Sequence, residues 1–291
     1  MGSEDIAYQL EAGGIIKSSF FFRLYVIVTS QNSKFQAGKY TISPSMSIAT
    51  IAKKFASGNV VKERIVLLEG WNTRNMGQYL ESQDLYTKKD FLEAVRSNFN
   101  SEFVFLRSKP KDLSLEGYLF PDTYYVNDGE SVKDFLRRML YNFDKKLTPD
   151  LKIAIAAQQK TIFQIITMAS IIEKEVRPLQ DKKIVSGLLW KRIANDMPLQ
   201  VDSTVNYVTG RSDPRVAIKD TKIDSLYNTY KYKGLPLGPI SNPGIDSILA
   251  AIYPIKSDYW YYLSADGSGK TIFSKTLEEH NLAKIKYLST K

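Results

Sequence analysis

The feature that most constrains this chain is the run TIFQIITMASIIEKEV, residues 161–176. Apolar side chains crowd Ile162, Phe163, Ile165, Ile166, Met168, Ala169, Ile171 and Ile172 before Glu173, Lys174 and Glu175 arrive. A helix that is apolar almost all round is normally buried. Any fold containing it must wrap other elements around it. The charges at its end have two readings. They mark where the helix meets water, or one of them works in a pocket. A carboxyl at the rim of an apolar helix is partly desolvated, which raises its pKa and keeps it protonated, as a general acid requires. Residues i and i+2 do not face each other on a helix. At most one of Glu173 and Glu175 is therefore expected to act directly. Glu173 continues the polar line Thr167, Ser170 and is the candidate acid. Glu175 lies off that line and reads as a surface or structural charge.

With 291 residues the chain is long enough for one large domain or two to three small ones. It has no cysteine, which excludes disulfides, thiol catalysis and cysteine-type zinc sites. It has one histidine, His280, so a multi-histidine metal site cannot form. No metal or cofactor is expected. The net charge of +9 suits nucleic acid, anionic lipid or an anionic wall polymer. No nucleic-acid motif is present, and GSGK at 267–270 lacks P-loop spacing. The most apolar stretch near the start, FFFRLYVIV at 20–28, is far short of the roughly 20 residues a membrane-spanning helix needs. The Met1-Gly2-Ser3 start reads as an expression scar, so an anchor upstream of it is compatible with the sequence.

Residues 5–30 read as one or two short helices around Gly13-Gly14, and FQAGKYTI at 35–42 as a turn and a short strand. A helix over Ile48, Ile51, Ala52 and Phe55 follows, capped by Ser45 or Ser47 and stopped near Gly58. Residues 60–70 read as a strand. Further helices are expected after Gly70, after Thr87, over 130–147, from Thr148, over 161–176, over 184–196, after Asp202 or Ser203, and over 247–253. A β-hairpin turning at Asp266–Gly269 and a last helix capped by Thr276 and Glu279 close the chain. The class is α+β, with helices dominant and strands few and short.

Three more segments carry candidate chemistry. SLEGYLFPDTYYV, 114–126, offers Glu116, Asp122 and aromatic rings suited to sugar faces. Its plain reading is a core turn. QVDSTVNY offers Gln200, Asp202, Ser203 and Thr204, whose plain reading is helix capping. The loop YNTYKYKGLPLGPISNPG, 226–244, is a binding wall or an ordinary connection.

Taken in order, LEGYLFPDTYYV, MASIIEKEV, QVDSTVNYVTG, YNTYKYKGLPLGPISNPGIDSILAAIYP and the terminal YWYYLSADGSGKTIFSKTLEEHNLAKIKYL resemble the YceG-like family of endolytic murein transglycosylases from about Gly14 onward. The resemblance implies a small LysM-like module within residues 1–66, near 38–66. A mainly helical α+β catalytic region over 67–291 follows, with a subdomain boundary near 150. It implies cleavage of the MurNAc-β-1,4-GlcNAc bond within nascent glycan strands to leave 1,6-anhydro-muramyl ends. The catalytic acid it implies is Glu173. It implies a glycan cleft lined by Glu116, Asp122, Gln200, Asp202, Ser203, Thr204, Tyr227, Asn228 and Thr229. Ser203 stands where the family commonly has proline, which weakens the carry-over of Ser203 alone. Peptidoglycan strands and membrane-bound synthases are the implied partners. The implied place is the outer face of the cytoplasmic membrane, with an N-terminal anchoring helix that this sequence lacks. Two other readings stand beside it: a noncatalytic wall-binding protein, and a water-using muramidase with Asp122 or Asp202 as second carboxylate.

Overall fold

A computed structural model describes residues 2–58, 62–211 and 216–288. It divides into two compact units. The first comprises residues 1–66 and 123–131, the second residues 67–122 and 132–291. Segment 123–131, in sequence part of the second region, thus belongs to the first.

The first unit starts with helices α1 (Ser3–Ala12) and α2 (Ser19–Val28). Helix α3 (Ile48–Ser57) is capped by Ser47, whose side chain accepts the Thr50 N–H, and ends where Gly58 turns left-handed at φ 62°. Ala7, Leu10, Phe22, Val26, Ile51, Ala52 and Phe55 form one core. The strand expected over 35–42 is not formed. That segment lies irregularly on α3, with the Phe35 and Tyr40 rings 5.5 and 4.7 Å from Phe55. Ring packing, rather than a ladder, buries its apolar side chains. Strand β1 (Lys62–Val66) pairs antiparallel with β2 (Thr123–Asn127), Ile65 opposite Tyr124. The expected strand start at Val60 and Val61 lies outside the described residues, and residues 67–70 are not strand. The strand–helix–strand unit read from residues 35–70 is therefore not reproduced: its first strand is absent, and β1 pairs with a distant segment.

The second unit is built around α8 (Ile162–Glu175). Thr161 caps it reciprocally with Gln164: Gln164 N–H donates to Thr161 Oγ1 at 3.1 Å and Thr161 N–H donates to Gln164 Oε1 at 2.8 Å. Ile165, Ile166, Met168, Ile171 and Ile172 are fully buried. Each such side chain contributes about 1.5–3 kcal/mol by leaving water, so the helix is a fixed axis. The same unit holds α4 (Thr73–Ser82), α5 (Lys88–Ala94), α6 (Val132–Lys146), α7 (Pro149–Ala157), α9 (Leu179–Ala194), α10 (Asp202–Thr209) and α11 (Ile245–Ile252). Helices α9 and α11 pack directly on α8. The expected C-terminal hairpin is present as β3 (Tyr261–Ser264) and β4 (Thr271–Ser274), followed by α12 (Leu277–Tyr287), which Thr276 caps. Among the described residues no helix is long and apolar enough to cross a membrane.

Candidate active site

The end of α8 sends its two glutamates to different places. Successive residues turn by about 100° on a helix, so i and i+2 diverge. Glu173 follows the polar line Thr167–Ser170, and that line meets the 240–244 loop. Ile240 N–H donates to Ser170 Oγ at 3.0 Å, and Ser241 Oγ donates to the Ser170 carbonyl at 3.0 Å. Glu173 then accepts from Gly244 N–H at 3.1 Å and Ser247 Oγ at 2.6 Å, at the start of α11. Lys182 of α9 lies 3.3 Å from both of its oxygens. The two side chains are only 9% and 5% exposed. Glu173 thus joins α8, α9 and α11, and three donors already occupy its oxygens.

Glu175 points the other way, into a cleft of about 1350 Å³ that Glu173 does not line. It is half-buried on the cleft wall rather than a free surface charge. Tyr262 Oη of β3 donates to Glu175 Oε2 at 3.0 Å. Burial pushes its carboxyl pKa up, and the nearby charge of Asp202 adds to the rise. Tyr262 and the Ser203 N–H and hydroxyl offset part of it. The Ser203 hydroxyl comes close without the alignment of a formed hydrogen bond. A half-buried carboxyl with a raised pKa on a cleft wall matches what proton donation demands.

The segment 199–204 forms the facing wall. Gln200 adopts φ 53°, a left-handed conformation rare outside glycine. Thr229 holds this turn. Gln200 N–H donates to the Thr229 carbonyl at 3.0 Å and Val201 N–H to Thr229 Oγ1 at 3.0 Å. Thr204 Oγ1 lies 3.0 Å from Thr229 Oγ1. Neither Asp202 nor Ser203 caps α10: Val201 is the N-cap residue and Asp202 opens the first turn. Asp202 lines the cleft, held by Tyr230 Oη on one oxygen and Val216 N–H at 3.5 Å on the other. Buried Arg192 donates to the carbonyls of Leu199 and Trp260, tying this wall to β3.

Of the residues expected in the cleft, Gln200, Asp202 and Ser203 line it. Thr204, Tyr227, Asn228 and Thr229 stand behind its wall. Asn228 is buried and donates to the Thr221 and Ile223 carbonyls at 2.9 and 2.8 Å. The Tyr227 ring packs 5.0 Å from Tyr207. Asp122 lies away from the cleft lining, accepting from Asn142 Nδ2 at 3.0 Å. Glu116 is a buried hub. Thr73 N–H, Thr73 Oγ1, Tyr207 Oη and Asn242 Nδ2 all donate to it, between 2.8 and 3.2 Å. It satisfies the open N-terminus of α4 rather than touching the cleft. Tyr230, Tyr262 and Lys174 line the cleft and carried no mark in the sequence beyond membership of aromatic or charged runs; Arg74 lines it too, from a stretch with no such run. Among the described residues no cluster of potential metal ligands occurs.

Burial raises the Glu116 pKa to about 7, against the pull of its donors and Arg74. In the unfolded chain the group titrates near its ordinary 4.5. Folding therefore takes up a proton between these values. Its contribution to stability is fully present below about pH 4.5 and is lost as pH rises towards 7. Urea unfolding of the wild type and Glu116→Gln across this range tests it. The downward slope attributable to Glu116 should vanish in the variant; identical slopes would contradict the assignment.

The YceG-like family's sequence profile matches residues 1–286. The chain is 36% identical over 300 residues to a Bacillus subtilis protein named endolytic murein transglycosylase, covering 98% of this chain and 82% of that one. A Streptococcus pneumoniae protein of the same name is 29% identical over 315 residues, covering 99% of this chain but only 57% of its own length. The crystal structure of a yceG-like protein from Listeria monocytogenes superposes with a TM-score of 0.68 at 34% identity, covering 97% of this chain and 96% of that one.

Proposed function

This chain belongs to the YceG-like family, and from that premise we propose that it is a peptidoglycan lytic transglycosylase with Glu175 as its acid. The relatives' names support the substrate. The observation that carries the site is Glu175, a half-buried carboxyl with a raised pKa on the wall of a cleft of about 1350 Å³. Small-molecule pockets run roughly 300–1,000 Å³, so the size favours an extended polymer.

The reaction breaks the bond between muramyl C1 and the oxygen that bridges to the following glucosaminyl residue. Glu175 donates its proton to that oxygen as it leaves. The muramyl C6 hydroxyl attacks C1 from within the same residue, and its proton passes to the Glu175 carboxylate. The acid is thereby restored, no water is consumed, and the new end is a 1,6-anhydro ring. Internal delivery of the nucleophile supplies proximity and removes the need for the second carboxylate of ordinary glycosidases. Asp202 has a supporting role, its charge favouring both the protonated form of Glu175 and positive charge developing at C1. The same carboxylate is what favours a second reading, a water-using muramidase. Cutting within nascent strands, anchorage to the membrane by a preceding helix and action beside synthases complete the proposal.

Mass spectrometry of uncrosslinked strands treated with the purified protein decides between the readings. Anhydro ends, one water lighter than reducing ends, are expected. Reducing ends would assign hydrolysis, with Asp202 as the second carboxylate. Intact strands that bind without cleavage would instead assign a wall-binding protein.

A further inference from the structure

The cleft carries more positive charge than its acid chemistry uses. Six cationic side chains line it, Arg74, Lys88, Lys174, Arg192, Arg211 and Lys284, against three acidic ones, Glu175, Asp202 and Asp266. Arg192 is engaged with backbone carbonyls, and Arg211 is paired with Asp220. Arg74, Lys88 and Lys174 form no ion pair among the described residues, although the Arg74 charge also acts on buried Glu116. They come from three different elements, α4, α5 and the end of α8.

Arg74 is the best held of the three. Its guanidinium lies 4.9 Å over the Tyr207 ring and donates to the Tyr207 carbonyl through one nitrogen. Tyr207 is itself fixed through its hydroxyl, which donates to Glu116 at 3.2 Å. The remaining guanidinium donors have no protein acceptor among the described residues, and the residue is exposed. Arg74 also sits in the first turn of α4, where a cation opposes the helix dipole. Its position is therefore not explained by helix stability. Lys174 spends one contact on the Gly70 carbonyl, at 3.3 Å.

Resting on the transglycosylase reading, we propose that Arg74, flanked by Lys88 and Lys174, forms a carboxylate subsite that selects glycan strands still bearing peptide stems. The sugars of the strand backbone are uncharged. The carboxylates of the polymer belong to the stems that hang from the muramyl lactyl groups. A cation-rich wall beside the acid therefore complements the stem and not the sugar. Arginine suits this task because its planar fork binds a carboxylate through two parallel hydrogen bonds.

Binding, measured apart from cleavage, tests the subsite. The full chain with Glu175→Gln is titrated with fluorescent uncrosslinked strands, and with the same strands stripped of stems by an amidase and then converted to methylamides at the lactyl carboxylates that the amidase frees. Stem-bearing strands are expected to bind about tenfold tighter, with the advantage shrinking as salt is raised. In Glu175→Gln/Arg74→Gln the ratio should fall towards one, and Arg74→Lys should restore only part of it. Equal binding of both strands, or a preference that survives Arg74→Gln, overturns the subsite. A loss of affinity for both strands in equal proportion assigns Arg74 a structural role through Tyr207 and Glu116, and also overturns it. The product assay on the wild type judges the transglycosylase reading separately.

Discussion

Glu175→Gln is expected to lower glycan cleavage by about 10²–10⁴-fold, the usual contribution of a positioned acid, while the protein keeps its fold. The amide preserves the size of the side chain and can still accept from Tyr262. It cannot donate a proton to the leaving oxygen. Wild-type cleavage should also fall as pH rises through the elevated pKa of Glu175, because the acid must be protonated to work. Its alkaline limb therefore lies above that of an ordinary glutamate. Release of anhydro ends, followed by chromatography beside a circular-dichroism melt of each protein, checks this. A variant that retained most of its activity, while Glu173→Gln lost it, would return the acid to Glu173.

The second large effect is on stability. Glu173→Ala should destabilise the protein by about 3–5 kcal/mol, the range for stranding one member of a buried ion pair. Lys182 is 5% exposed and has Glu173 as its ion-pair partner. Gly244 N–H and Ser247 Oγ lose their acceptor in the same step. Urea unfolding measures the loss. Combining Glu173→Ala with Lys182→Met should recover a large part of it, because the stranded charge is then gone. Below the shifted transition, activity per folded molecule should stay within a few-fold of wild type. An unchanged urea midpoint for Glu173→Ala would show that the pair holds nothing together.

These two residues mark how far the sequence could be read. The polar line Thr167–Ser170–Glu173 was legible, and it exists, but it faces a loop and α11 rather than a cleft. Helical phase says that two residues diverge; it does not say which direction holds solvent. That depends on where α9, α11 and the C-terminal hairpin come to rest. The Gln200–Thr204 element shows the same limit. Its residue types suggested both capping and binding. The cap went to Val201, and Thr229, distant in sequence, holds the turn that puts Gln200, Asp202 and Ser203 on the cleft wall.

What the sequence determined by itself was local. The apolar content of 161–176 demanded a buried helix, Thr161 with Gln164 and Thr276 with Glu279 started helices, and Gly58 stopped one, because capping and periodicity act within a few residues. The tertiary structure alone decided the pairing of β1 with a segment some sixty residues on, and the withdrawal of Glu116 into a buried hub. It also decided which glutamate of Glu-Lys-Glu meets the cleft. Each of these depends on burial and on donors from distant segments, and burial is a property of the packed chain that no short stretch of sequence carries.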